Sequence, residues 1–362
     1  MIYLDYQATT PLAPQAFDAM VPLLRDQFAN PHSAHRLGRA AAAQVEVARE
    51  AVGALLPSGG RLLFTSGATE ALNIAIQGAP KGDIVTIATE HAAVLDTVEA
   101  LARAGRTVTV LPVKKDGLVD MDAAFQAIVP GVSLVIAMLV NNEIGVIQPI
   151  GELAKLSDFA GATFLCDAVQ GYGRVPIPDT CDMIAISAHK IHGPKGVGAL
   201  WLRDGISLAP LIHGGGQEGG LRSGTLSPAL CAGFGVAARL MVERAEADRA
   251  HVESLADLAR SLFADWTING SMTARYPGNL NLRRAGIDGA RLLSDCRNIA
   301  FSLGSACASG SGRPSHVLRA LGLTDAQARG SVRIGFGRYT TPAELESAAE
   351  ALNKAAAAQA AL

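Results

Sequence analysis

The sequence predicts an α/β sheet domain joined to a smaller α+β domain, and three observations lead there. Short β-rich runs alternate with helical segments from residue 61 onward: RLLFT (61–65), DIVTIA (83–88), TVTVLPV (107–113), SLVIAMLV (133–140), TFLCDA (163–168) and DMIAIS (182–187). These runs are apolar on both faces, as strands of a parallel sheet covered by helices must be. After about Met241 the texture changes to a long charged helix (242–266) and the short strand candidates LNLRR (280–284) and IAFSL (299–303).

The helices between the strands follow from periodicity. Segments 71–76, 92–104, 121–129 and 150–159 place apolar residues on one face, and a further helix is expected from Pro14. The alanine-rich tail (352–362) reads as a last helix. The expected division is a large domain over 14–243 and a small one formed by 1–13 and 244–362.

The chain has 362 residues, enough for about two domains. With 31 cationic and 33 anionic side chains the formal charge is −2, so no net field attracts nucleic acid or an anionic membrane. The longest apolar stretch (132–140) is far short of the roughly 20 residues of a membrane helix. The amino terminus carries neither a basic n-region nor an apolar h-region, so a cytoplasmic location is expected. The five cysteines, Cys166, Cys181, Cys231, Cys296 and Cys307, are odd in number and contain no CxxC pair, against both a disulfide framework and a zinc ribbon.

The polar residues gather at strand ends, where open α/β sheets bind ligands. SGATE (66–70) lies between a strand and a helix and offers free backbone N–H groups to an anion, although such residues also serve as ordinary caps. Asp167 and Gln170 close one strand; Ser187, His189 and Lys190 follow another. A lysine directly after a buried strand is costly unless paired or covalently used, and desolvation lowers its pKa, which suits a Schiff base. Pyridoxal phosphate needs an amine, a carboxylate for its ring nitrogen, donors for its phosphate and a flat group over its ring. Lys190, Asp167, the SGATE turn and His91 can supply them. Cys307 sits in GSACASGSG, a run of small residues expected to be flexible, whereas the other four cysteines are expected to pack. His189 and His192 have no third ligand at metal spacing, so no metal is expected.

The motifs YLDYQATTP (3–11), SGATEALN (66–73), TEHAAVLDT (89–97), VNNEIGVIQPI (140–150), CDAVQGYG (166–173), SAHKIHGPKGVGAL (187–200), GGGQEGGLRSGT (214–225), GSACASGSGRPSHVLRALGL (304–323) and SVRIGFGRYTT (331–341) resemble the cysteine desulfurases of the NifS/IscS type. They run in order over nearly the whole chain. The resemblance implies the aspartate-aminotransferase-like fold type I of the pyridoxal-phosphate enzymes, with a mostly parallel seven-stranded sheet in the large domain, and a homodimer. It makes Lys190 the residue that bonds the cofactor aldehyde, Asp167 the partner of the ring nitrogen, Gln170 the donor to the ring hydroxyl and His91 the imidazole over the ring. It places Ala68, Thr69, Ser187 and His189 at the phosphate, and Thr225 at the phosphate bound by the partner subunit. Asn142 is implied near cofactor and substrate, and Arg333 on the substrate carboxylate.

The implied reaction turns L-cysteine into L-alanine and leaves a persulfide on Cys307 for a sulfur-acceptor protein, such as an iron–sulfur scaffold or a component of tRNA or cofactor thiolation. A selenocysteine lyase, a class V aminotransferase and a non-catalytic sulfur-transfer scaffold are the competing readings. Gln7 and Gly219 depart from the residues usual at their positions in the family.

Overall fold

Residues 1–303 and 314–361 are described by the structure, a computed structural model of the chain. The strands among them are β1 (Ile2–Tyr3), β2 (Gly60–Thr65), β3 (Asp83–Ile87), β4 (Val108–Leu111), β5 (Val132–Met138), β6 (Thr163–Asp167), β7 (Met183–Ser187), β8 (Gly198–Arg203), β9 (Thr267–Ile268), β10 (Asn279–Arg283), β11 (Ile299–Ala300) and β12 (Ser331–Gly335).

Seven of them form one sheet in the order β2-β8-β7-β6-β5-β3-β4. All neighbours are parallel except β8, which runs antiparallel to β2 and β7. The side-chain period of two sends alternate residues into separate cores on the two faces. Val135 and Ala137 of β5 join one core with Ile184 and Ile186 of β7. Leu134 and Ile136 join the other with Met183 and Ala185. Both faces are therefore covered, and helices Ala68–Gly78, Ala92–Arg103, Met121–Ala127 and Ile150–Ala160 supply part of that cover where periodicity placed them.

Three elements differ from the sequence expectation. Strand β8 was not anticipated, because glycine at both ends of GVG masks an apolar run that pairs over six residues with β2. Strand β4 is the sheet edge and is not covered on both faces: Thr109 and Val110 are exposed and only Leu111 is buried. The long charged helix expected over 242–266 is found at Ala245–Leu262, while Val242 and Glu243 end a preceding helix, Pro228–Glu243, which meets it at a non-helical Arg244. Helix Pro228–Glu243 buries Ala237, Ala238 and Met241 in the large-sheet core, and helix Ala245–Leu262 buries Val252, Leu255 and Ala259 elsewhere. The chain bends where it leaves one core for the other.

That second core lies on the antiparallel sheet β12-β10-β9 and the parallel pair β1-β11. It takes Leu4 from the amino terminus and Leu345, Ala348 and Leu352 from helix Pro342–Ala360. The amino-terminal strap then runs from this core to the large sheet. Gly335 of β12 donates to the Leu4 carbonyl at 2.8 Å, Thr10 donates to the His189 carbonyl at 2.9 Å, and Ala13 donates to the His192 carbonyl at 2.9 Å. A Cβ at Gly335 would lie 1.5 Å from Oε1 of Gln7, so any larger residue there would force the Gln7 amide to move.

Leu4 is fully buried and anchors the strap. Leu4→Ala is expected to destabilise the protein by about 3 kcal/mol, read as a lower urea midpoint of unfolding. An unchanged midpoint would contradict this packing.

Candidate active site

The carboxyl ends of β2, β6 and β7 and the strap enclose a cavity of about 520 Å³, within the range usual for small-molecule sites. Asp167, Gln170, Ser187, His189 and Lys190 all line it, as do Ala68, Thr69, His91, Asn142 and Arg333. Residues scattered over most of the chain are thus brought to one place.

Lys190 ends a short 3₁₀ turn directly after β7. Its Nζ donates to the backbone carbonyls of Gln7 and Ala8 in the strap, the latter at 2.9 Å. Burial, with the nearby cations of Arg333 and Arg174, lowers the amine pKa from 10.5 to about 8. Asp167 ends β6, is buried, and accepts one hydrogen bond, from the Val169 N–H at 3.0 Å. Burial raises its carboxyl above the usual range, opposed by that N–H and by His91 and Lys190.

His91 caps helix Ala92–Arg103, its Nδ1 accepting from the Ala93 N–H at 3.0 Å. Burial lowers its pKa, so the ring is neutral near pH 7 and its proton resides on Nε2. His189 is likewise neutral, pushed down to about 4 by burial and by Lys190 and Lys195, with Nδ1 3.1 Å from the Thr9 hydroxyl. Gln170 is buried and donates through Nε2 to the Gln7 carbonyl at 2.8 Å.

At the other end of the cavity, helix Ala68–Gly78 starts without a side-chain cap, while Ser66, Gly67, Ala68 and Thr69 line the wall. The helix amino terminus therefore presents donors and the positive end of its dipole to an anion. The turn packs on β8 because Gly198 has no side chain; a Cβ there would lie 2.7 Å from the Gly67 backbone.

Arg333 of β12 is fully buried and ion-paired to Asp5 at 2.7 Å. It also donates to the Asn142 carbonyl at 2.9 Å, and its buried Nε–H has no acceptor among the described residues. Thr225 is exposed and does not line this cavity. Cys307 lies outside the described residues. Cys166, Cys181, Cys231 and Cys296 are free and buried.

The donor set fits pyridoxal phosphate. A buried carboxylate with one hydrogen bond matches a cationic ring nitrogen, a desolvated amine stands in the same cavity, and an uncapped helix start suits a phosphate. Sequence reasoning missed several contributors. The strap carbonyls of Gln7 and Ala8 leave no trace in side-chain chemistry. Arg174, which donates to the Lys190 carbonyl and lies over the Tyr276 ring, sits in an unremarkable loop. Glu90, next to His91 and three residues past β3, is a further buried acid of the site. Its carboxyl is fully buried, accepts from the Met138 N–H at 2.6 Å, and is held well above the normal range by burial and by Asp167.

Comparison with known proteins agrees with this geometry. Residues 2–347 match the family model "Aminotransferase class-V". The chain is 43% identical over 364 residues to "Cysteine desulfurase IscS" of Rickettsia bellii, covering 96% of this chain and 89% of that one. It is 45% identical over 369 residues to "Cysteine desulfurase, mitochondrial" of Eremothecium gossypii, covering 98% and 75%. A solved "NIFS-LIKE PROTEIN" superposes with a TM-score of 0.90 at 32% identity over 98% of both chains. A match of this length and depth makes the chain a member of the class-V aminotransferase family, which uses pyridoxal phosphate, and within it of the cysteine desulfurases.

Proposed function

We propose that the protein converts L-cysteine and the Cys307 thiol into L-alanine and a Cys307 persulfide, the sulfur atom moving from substrate to enzyme. The observation that carries this reading is the Lys190 amine, lowered to about 8, in one cavity with Asp167 and His91.

When bound, pyridoxal phosphate supplies an aldehyde that condenses with amines and a ring that withdraws electrons from the substrate Cα. Asp167 would hold the proton of the ring nitrogen, Gln170 would donate to the ring hydroxyl, and the start of helix Ala68–Gly78 with Thr69, Ser187 and His189 would hold the phosphate. The imidazole of His91 would stack on the ring, and with Nδ1 accepting from the Ala93 N–H it would hold its proton on Nε2. Once free, the neutral Nζ of Lys190 takes the Cα proton, a task that an ammonium cannot perform. Arg333 orients the substrate carboxylate through its unpartnered Nε–H, beside Asn142. The Cys307 thiolate, the nucleophilic form of the thiol, takes the sulfur.

Residues 14–243 form the cofactor-binding domain, and 1–13 with 244–362 form the domain that carries Cys307. In support, the largest core of the sheet domain ends its membership at Met241, while the second core takes Leu4 and then resumes at Val252. The exposed Thr225 serves the phosphate of a partner subunit, so the working unit is a homodimer. The persulfide passes its sulfur to a thiol-bearing acceptor protein in the cytoplasm, an iron–sulfur scaffold being one such acceptor. No helix among the described residues is long and apolar enough to cross a membrane.

Two predictions test this assignment. Cys307→Ala keeps the yellow cofactor but loses at least about a hundredfold of sulfide release from L-cysteine under reductant; full turnover would remove Cys307 from the reaction. In the cofactor-free protein, the rate of pyridoxal phosphate uptake depends on neutral Lys190. It should rise about tenfold per pH unit below about pH 8 and level off above it, followed by absorbance after rapid mixing. A rise continuing to about pH 10 would mean an unperturbed lysine.

A further inference from the structure

Arg333 stands where three segments of the chain meet. It belongs to β12, and its two terminal nitrogens reach the Asp5 carboxylate of the strap at 2.7 Å and the Asn142 carbonyl beyond β5 at 2.9 Å. Its Nε–H is left without an acceptor among the described residues. The backbone sets up the ion pair. Asp5 forms a parallel bridge with Gly335, and Arg333 lies two residues earlier in β12, on the same face. Arg333 lines the cavity, whereas Asp5 is not among the lining residues.

The same turn of the strap serves the amine. The Ala8 N–H donates to the Asp5 carbonyl at 3.0 Å, closing a turn whose Gln7 and Ala8 carbonyls accept from Lys190. Tyr3 fixes this turn further, its hydroxyl donating to the carbonyls of Asp5 at 3.1 Å and Thr9 at 2.8 Å. One short segment thus carries the counterion of Arg333 and the acceptors of Lys190.

We propose that Asp5 is a positioning residue that acts through Arg333: its carboxylate fixes the guanidinium and, by cancelling its charge, weakens the grip on the substrate carboxylate. This rests on the role given to Arg333 above. A carboxylate brought to a guanidinium that is already paired meets the repulsion of the first carboxylate. Little water screens the pair, since the side chains are 1% exposed for Arg333 and 18% for Asp5. A buried arginine without a counterion would hold L-alanine as firmly as L-cysteine at this point, because the two share the carboxylate. Pairing with Asp5 lowers the affinity for both and so speeds release of the product.

The hold and the charge are separable by mutation. Asp5→Asn keeps an oxygen that can accept from Arg333 and removes the charge. With cofactor-loaded protein, binding of L-alanine, followed by the cofactor absorbance, should tighten about tenfold, and the KM for L-cysteine should fall with it. Binding of cysteamine, which has the amine and the thiol but no carboxylate, should change by less than about twofold. The groups that face Lys190 are Arg333, Arg174, Asp167 and Asp5, with His91 and His189 neutral, and Asp5 is one of the two that raise its pKa. In the cofactor-free Asp5→Asn protein, the pH at which cofactor uptake levels off should therefore move below about 8. Asp5→Ser, too short to reach Arg333, should move that profile the same way but bind L-alanine less tightly than Asp5→Asn, so either variant tests the charge.

Unchanged or weaker L-alanine binding in Asp5→Asn would overturn the proposal, as would an equal tightening of cysteamine or an unmoved uptake profile. Arg333→Gln separates the two failures. If it leaves L-alanine binding intact, Arg333 does not hold the carboxylate and the reading above fails. If it weakens that binding while Asp5→Asn has no effect, the role of Asp5 alone fails.

Discussion

The site depends on one desolvated amine being held by backbone carbonyls rather than by a carboxylate. Lys190 donates to Gln7 and Ala8 of the strap, and the strap is itself fixed at one end to the small core by Leu4 and at the other to the residues flanking Lys190. A carboxylate partner in direct contact would stabilise the ammonium and raise its pKa. Neutral carbonyls orient the amine with a weaker hold on its proton, and burial with the cations of Arg333 and Arg174 outweighs the opposing charges of Asp167 and Asp5. The outcome is a lysine that can lose its proton near neutral pH.

The remaining groups fall into place around that choice. Asp167 is the anion of the cavity wall, yet burial makes its charge costly until a cation faces it, which is the condition a protonated ring nitrogen meets. His91 and His189 are kept neutral by burial, so they add no positive charge beside a lysine that must become neutral. The fully buried carboxyl of Glu90 is raised well above the usual range by burial and by Asp167. The buried thiols show the opposite of activation: burial pushes Cys231 up to about 12 and raises Cys296, and hydrogen bonding to Cys181 raises Cys166. Thiols in that state are poor nucleophiles.

Much of this was legible in the sequence, for reasons that differ by element. Strands buried on both faces are continuous apolar runs, so β5, β6 and β7 could be read directly, and with them the positions of Asp167 and Lys190 at their ends. Strand β8 escaped because its glycines serve close backbone packing and break the apolar pattern. The break at Arg244 lies close to the change of texture read after Met241, and the helices on its two sides face different cores. The motifs supplied the site inventory, but the strap carbonyls and the ion pair of Arg333 with Asp5 are contacts between residues far apart in the chain. No local pattern encodes them.

Reduction of the cofactor-loaded protein with borohydride, followed by peptide mass spectrometry, tests the placement of the reactive amine most directly. The peptide containing Lys190 should carry the reduced pyridoxyl group in near-stoichiometric amount. Recovery of that group on another lysine, or on none, would contradict the site built around residue 190.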